Sequence, residues 1–222
     1  MKKNLKYDAV FYDFDGTLGD SLPVILESFK GAYTEVFGEC TRTEEDFKKF
    51  IGLPLIETFR AHDEETQQKL LNAYLKINHK MLDENKIPLF PGVIEALKEI
   101  KAKGVIQGIV TSKRIEAFEV TAKLTGIWEL FDVIICNGDT RYHKPNADPL
   151  IEAAKRSNIT DYKRILYVGD ALADICCAKN AGTDFAFVNW SQMQKDDILF
   201  MKPDYCINQL KEISCIIDNI EL

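Results

Sequence analysis

Val10-Phe11-Tyr12-Asp13-Phe14-Asp15-Gly16-Thr17-Leu18 decides how the rest of this 222-residue chain is read. Its apolar start carries the branched and aromatic side chains that suit a buried strand. The run halts at two carboxylates two positions apart, followed by the permissive Gly16 and the hydroxyl of Thr17. In an open parallel sheet, ligands bind just beyond the carboxyl ends of the strands, so the two acids stand where a site belongs. Carboxylates this close repel each other unless they share a proton or a cation, and a hard divalent cation with oxygen ligands, magnesium, meets that need. Taken alone, the cluster also admits the plainer reading of an acidic surface turn, and the rest of the chain must separate the two.

Downstream, the periodicity turns helical. Leu22, Ile25, Leu26, Phe29, Tyr33 and Val36 recur at three- and four-residue spacing, with Pro23 in the first turn and Gly38 at the stop. Thr43-Glu44-Glu45-Asp46 has the form of a capping box opening a second helix, and Gly52-Leu53-Pro54-Leu55 interrupts before a short third. Leu70, Leu71, Tyr74, Leu75, Asn78 and Met81 stripe a longer fourth, which stops before Pro88 and Pro91. Residues 20–86 are therefore expected to form a small helical cap, and 1–19 with 87–222 the core. Leu18-Gly19-Asp20 and Ile87-Pro88-Leu89-Phe90-Pro91 would be its tethers.

From Gly92 onward, strands and helices alternate. Helices are expected near Val93–Lys103, Ile115–Thr125, Asp148–Ser157 and Leu172–Ala181, with strands at Gln107–Thr111, Asp132–Cys136, Ile165–Val168 and Phe185–Val188. Tyr205–Ile207 adds a short edge strand, and Leu210, Ile213, Ile217 and Ile220 a closing helix. Such alternation demands an α/β fold, a doubly wound parallel sheet with helices on both faces.

Three more strand ends carry chemistry-bearing residues. Gly108-Ile109-Val110-Thr111-Ser112 finishes in hydroxyls and amide hydrogens suited to phosphoryl oxygens, although a terminal Thr is commonly a simple helix cap. Lys144-Pro145 fixes a cation in a loop, where an isolated lysine would ordinarily be a solvated surface charge. Ile165-Leu166-Tyr167-Val168-Gly169-Asp170 ends in an acid with a second, Asp174, four residues on, giving further oxygen ligands for magnesium.

Taken in order, Asp-x-Asp-Gly-Thr-Leu, the strand ending in Thr-Ser, Lys-Pro before a helix and Gly-Asp-x-x-x-Asp resemble the four motifs of the haloacid dehalogenase superfamily, and the resemblance spans the whole chain. Two positions depart from the commoner pattern: Ser112 where many phosphatases have Asn, and Ala171 where a hydroxyl often follows the first acid. The resemblance implies a phosphatase in which Asp13 forms an aspartyl-phosphate and Asp15 serves as acid and base. It further implies that Thr111, the Ser112 amide and Lys144 bind the phosphoryl group. Mg²⁺ would be held by Asp13, the Asp15 carbonyl and Asp170, with Asp174 in support.

Within that superfamily the helical cap, Leu18-x-Asp20-Ser21 and the Gly52-Leu53-Pro54-Leu55 turn look most like phosphoglycolate phosphatases. A phosphomutase is disfavoured because Leu55 and Ile56 put no base in that turn, and a haloacid dehalogenase proper because it lacks the Asp15 acid. A phospho-acceptor signalling module shares the sheet, Asp, Thr, Lys and magnesium, but does not account for Asp15 or the helical block. Pyrophosphatase, nucleotidase and sugar phosphatase activities use the same chemistry, and a degenerate binding protein would not need every acid that is present.

Composition narrows the partners. A net charge of -7 argues against nucleic acid, leaving a small phosphorylated metabolite drawn in by metal and local cations. The six cysteines show no C-x-x-C spacing, and no apolar stretch resembles a signal peptide or a membrane span, so the cytoplasm is the expected compartment. Nothing in the sequence sets an oligomeric state. Lys48, Lys49 and Arg60 are candidate substrate contacts on the cap, against the alternative of a solvated helix face.

Overall fold

The computed structural model describes residues 5–51, 55–84, 87–193 and 195–220, with backbone only at 56 and 57. Six strands, β1 (Ala9–Tyr12), β2 (Ile106–Arg114), β3 (Val133–Asn137), β4 (Ile165–Gly169), β5 (Asp184–Val188) and β6 (Tyr205–Ile207), form one sheet in the order β3-β2-β1-β4-β5-β6. Every pairing is parallel. The first strand is therefore central, and the chain builds outward from it on one side, then returns to build on the other. That reversal opens a crevice at the carboxyl ends of β1 and β4, where Asp13 and Asp170 stand.

The period of two along each strand divides the core. Val10, Tyr12, Leu166 and Val168 face one hydrophobic layer, packed by α5 (Val93–Ala102), α6 (Ile115–Leu124) and α10 (Glu212–Ile217). Ala9, Phe11, Ile165 and Tyr167 face the other, packed by α7 (Asp148–Arg156), α8 (Leu172–Ala181) and α9 (Asp196–Phe200). With both strand faces buried, β1 and β4 read as continuous apolar runs rather than alternating ones. Among the described residues no helix is long and apolar enough to cross a membrane.

Between β1 and β2 lie α1 (Leu22–Phe37), α2 (Glu44–Lys48), α3 (Leu55–Thr58) and α4 (Glu64–Asp83). They enclose a cluster of their own around Phe29, Tyr33, Phe47, Phe59, Leu70 and Tyr74. Phe29 stacks on Phe47 at 5.2 Å and leans on Tyr74 at 4.8 Å. Gly31 lets α4 approach α1, since a Cβ there would meet Ile77 Cδ1 at 2.6 Å. The Thr43 capping box forms as expected: the Thr43 side chain accepts from Asp46 N and the Asp46 carboxylate from Thr43 N. Gly52, Leu53 and Pro54 of the anticipated turn lie outside the described residues.

The tethers of this helical unit are bonded to each other. Asp20 N donates to Pro88 O at 2.8 Å and Phe90 N to Leu18 O at 2.9 Å, making a short antiparallel pairing across Gly19 and Leu89.

Besides two single 3-10 turns, Trp128–Leu130 and Tyr162–Arg164, three elements differ from the sequence reading. The second strand runs on to Arg114, because after an irregularity past Val110 it pairs again with β3 at Asn137, through backbone groups that Ser112-Lys113-Arg114 do not advertise. The short helix α9 was not anticipated. The closing helix is confined to Glu212–Ile217, and Asn219 beyond it takes a left-handed φ of 59°.

Candidate active site

Four loops converge at the carboxyl end of the sheet. Asp13 follows β1 directly, its amide donating to Val168 O at 2.9 Å so that the turn continues the β4 ladder. Its backbone then doubles back: Leu18 N and Gly19 N both donate to Phe14 O, and Gly16 N to Gly19 O. Gly16 has φ +80°, and a Cβ there would lie 2.3 Å from Asp170 Oδ2. Gly16→Ala is therefore expected to cost about 1–3 kcal/mol in stability, from the left-handed backbone and the displaced Asp170 carboxylate. Chemical denaturation checks it, with circular dichroism confirming that the fold is kept.

Asp13, Asp170 and Asp174 are all buried and each offers a carboxylate oxygen within 4.8 Å of the others. The three differ in what already binds them. Both Asp174 oxygens are engaged by protein: Oδ2 accepts from the Asp170 and Ala171 amides at 3.2 and 3.0 Å, and Oδ1 from Lys144 Nζ at 2.6 Å and Tyr167 Oη at 3.0 Å. Asp174 thereby fixes both the Asp170 loop and the lysine. Asp170 is steadied by the hydroxyls of Thr17 at 3.2 Å and Ser191 at 3.1 Å. Asp13 Oδ1 is buried and accepts no hydrogen bond, although it forms an ion pair with Lys144 Nζ at 3.1 Å.

This crowding shows in the acidities. Burial, opposed by Lys144 and reinforced by Asp174 and Asp15, pushes the Asp13 carboxyl up to about 6. Burial and the neighbouring Asp174 and Asp13 raise Asp170 well above the carboxylate range. Burial works against the charge on Lys144, but Asp13 and Asp174 outweigh it and raise its pKa. Buried oxygens with surplus negative charge, one of them without a hydrogen bond, are the donor set of a hard divalent cation. The residues fit magnesium.

The Asp15 side chain stands apart from these three. Its oxygens pair with Lys113 Nζ at 3.0 and 3.3 Å, and the lysine is almost wholly buried with its ammonium 5.7 Å from the Phe14 ring centroid. Thr111 is buried at the end of the aliphatic part of β2, its Oγ accepting from Lys113 N at 3.3 Å. Asn180 donates to Pro145 O at 2.9 Å, tying α8 to the Lys144 loop.

Asp13, Asp15, Thr111, Ser112 and Asp170 all line one cavity of about 450 Å³, closed on its far side by α1, α3 and α4. Lys144 and Asp174 stand behind Asp13 and are not part of its lining. Lys48 and Lys49 pair with Glu45 and Asp46 on the surface of α2, and they and Arg60 are absent from the lining. Lys113, Tyr167 and Ser191 were not singled out in the sequence. Lys113 had only its place beside Thr111-Ser112 to mark it, Tyr167 only its polar tip in an aliphatic strand, and Ser191 no signal.

Residues 10–188 match the family model of haloacid dehalogenase-like hydrolases. The pyrophosphatase PpaX of Bacillus cereus is 31% identical over 218 residues, covering 97% of this chain and 99% of that one. Among solved structures, a haloacid dehalogenase-like hydrolase of Bacteroides fragilis superposes with a TM-score of 0.85 at 27% identity, over 94% of this chain and all of the other. A protein of Haemophilus somnus described as a predicted phosphoglycolate phosphatase shares the fold with a TM-score of 0.86 at 24% identity, over 95% and 98% of the two chains.

Proposed function

The chain belongs to the haloacid dehalogenase-like hydrolase family, an enzyme of the phosphatase type, and from that premise we propose a magnesium-dependent hydrolase of small phosphorylated metabolites working through an aspartyl-phosphate. One observation carries the reading. A buried carboxylate oxygen of Asp13 lacks a hydrogen bond, lies 3.1 Å from the Lys144 ammonium, and belongs to a residue lining a cavity that Asp15 and Thr111 share. A carboxylate anchored by a buried cation at the edge of that cavity is placed to attack a phosphorus seated in it.

In the first step an Asp13 oxygen bonds to phosphorus as the bond to the leaving oxygen breaks, and Asp15 gives its proton to that oxygen. In the second, Asp15 takes a proton from water as the water oxygen attacks phosphorus, and the phosphorus bond to Asp13 breaks to release phosphate. Lys113 holds the Asp15 carboxylate from the β2 side. The Thr111 hydroxyl and the Ser112 amide donate to the phosphoryl oxygens, and Lys144, positioned by Asp174, offsets their charge. Magnesium, held by Asp13, the Asp15 carbonyl and Asp170 with Asp174 in support, would neutralise charge on the phosphoryl group and polarise it. The six free cysteines accord with a reducing cytoplasm.

Two substrates have independent support: phosphoglycolate from the cap motifs, and pyrophosphate from the activity named for the PpaX relatives. Phosphate release with Mg²⁺ across phosphoglycolate, sugar phosphates, nucleoside monophosphates and pyrophosphate tests the assignment, and silence on every compound overturns it. Asp15→Asn is expected to lower kcat by about 10²–10⁴-fold while leaving Mg²⁺ binding by calorimetry intact. A wild-type rate in that variant removes Asp15 from the mechanism.

A further inference from the structure

One side chain of the helical unit faces the reacting groups with its polar atom unused. Helix α4 turns Leu71, Tyr74, Leu75 and Asn78 toward the cavity, the spacing of a single helix face. Tyr74 is only 8% exposed, and its ring is held in the aromatic cluster against Phe29 at 4.8 Å. Among the described residues its hydroxyl has no hydrogen-bond partner, and, unlike Thr58 Oγ, it is not sealed off from the cavity. Packing does not call for that hydroxyl. Phe29, Phe47 and Phe59 fill the same cluster, and a further phenyl ring would bury as much hydrocarbon without taking a polar group out of water.

From this placement we infer that Tyr74 is a specificity-determining residue, its hydroxyl donating a hydrogen bond to an oxygen that the leaving group carries next to the ester link. This deepens the phosphatase reading and rests on it. Burial, and after it the charge of Asp15, raises the pKa of the phenol, so Tyr74 keeps its proton for donation and stands close enough to Asp15 to feel its charge. Asp15 serves the leaving oxygen, so a group that meets Tyr74 lies beside that oxygen rather than at the far end of the substrate. The helix face is anchored as well: Asn78 Nδ2 donates to Ser28 Oγ at 3.2 Å, and Ser28 Oγ donates in turn to Val24 O at 2.6 Å, tying α4 to α1 one turn beyond the phenol. The donor is thus fixed before substrate arrives. A hydroxyl, a carboxylate or a phosphoryl oxygen in that position satisfies it. A bare alkyl chain does not, and takes water away from the phenol without replacing it.

The test is phosphate release with Mg²⁺ by the intact enzyme and by Tyr74→Phe, which removes the hydroxyl and nothing else. The compounds are 2-hydroxyethyl phosphate, phosphoglycolate and pyrophosphate, each with an oxygen beside the ester or anhydride link, and n-propyl phosphate, the same size as the first without that oxygen. Tyr74→Phe should lower the ratio of kcat/KM for 2-hydroxyethyl over n-propyl phosphate about five- to fiftyfold, and the ratios for phosphoglycolate and pyrophosphate in the same direction. Thermal unfolding without Mg²⁺ should show the variant at least as stable as the parent, because the lost hydroxyl had no internal partner. Equal losses on all four compounds would place the phenol on Asp15 or the attacking water and overturn the inference. Unchanged ratios, or a variant that unfolds at lower temperature than the parent, overturn it too, and each of these results leaves the phosphatase standing. No phosphate from any compound with the parent enzyme overturns the phosphatase reading itself.

Discussion

Asp13→Asn should abolish turnover and at the same time make the metal-free protein more stable. The loss follows from removing the attacking oxygen: amide nitrogen and oxygen are poor nucleophiles toward phosphorus, and kcat should fall by at least about 10⁴-fold. The gain follows from the crowding around that carboxylate. Its folded-state pKa is raised to about 6, against roughly 3.9 in an unfolded chain. A raised carboxyl pKa means that the folded state holds the proton more tightly than the unfolded one. The penalty is therefore absent below about pH 4, grows as pH rises to about 6, and is full above that. It is on the order of 3 kcal/mol at neutral pH, and asparagine removes it. Thermal unfolding without Mg²⁺ at pH 7.5 should show the variant several degrees more stable than the parent, with the two converging at pH 4. A variant that loses stability at neutral pH, or retains measurable turnover, contradicts the arrangement.

Lys144→Met should fail on both counts. Methionine keeps the unbranched stem but leaves Asp13 and Asp174 buried without their shared cation, which costs about 3–5 kcal/mol and roughly 6–20 °C of Tm. The phosphoryl group loses its counter-charge as well, so kcat/KM should drop about a hundred- to a thousandfold even where the fold persists. Because Lys144 donates to Asp174 at 2.6 Å, adding Asp174→Asn to Lys144→Met should destabilise by less than the sum of the two single changes. A coupling of at least about 1 kcal/mol in a double-mutant cycle identifies the pair, and strict additivity refutes it.

What the sequence disclosed about this site, and what it kept back, follows from distance along the chain. Asp13 and Asp170 were visible because each closes an apolar strand, and a doubly wound sheet brings strand ends together whatever their spacing. Lys144 was legible through Pro145 and its place in the series. Lys113 was not, because its meaning depends on meeting Asp15, 98 residues earlier, and that meeting requires β2 to run past its aliphatic stretch. Ser191 was hidden for the same reason: its hydroxyl reaches Asp170 only through the loop after β5. Asp174 reads from the sequence as metal support; the structure places it in the buried carboxylate cluster, and its four protein donors could not be inferred from spacing. In the cap, the stripe from Leu70 to Met81 announced α4 yet could not say which of its residues would face the cavity rather than the bundle.

The paired tethers carry a consequence for how such a molecule diversifies. Asp20 and Pro88 are joined by a hydrogen bond of 2.8 Å, so the helical unit leaves the sheet and rejoins it at a single point. Closing the chain there with a tight turn would disturb no strand pairing. Replacing the unit with another of different lining would leave Asp13, Lys144 and Asp170 in place. The ground plan thus separates inheritance of the reaction from choice of what is cleaved, and the second becomes a module that can be exchanged at one seam.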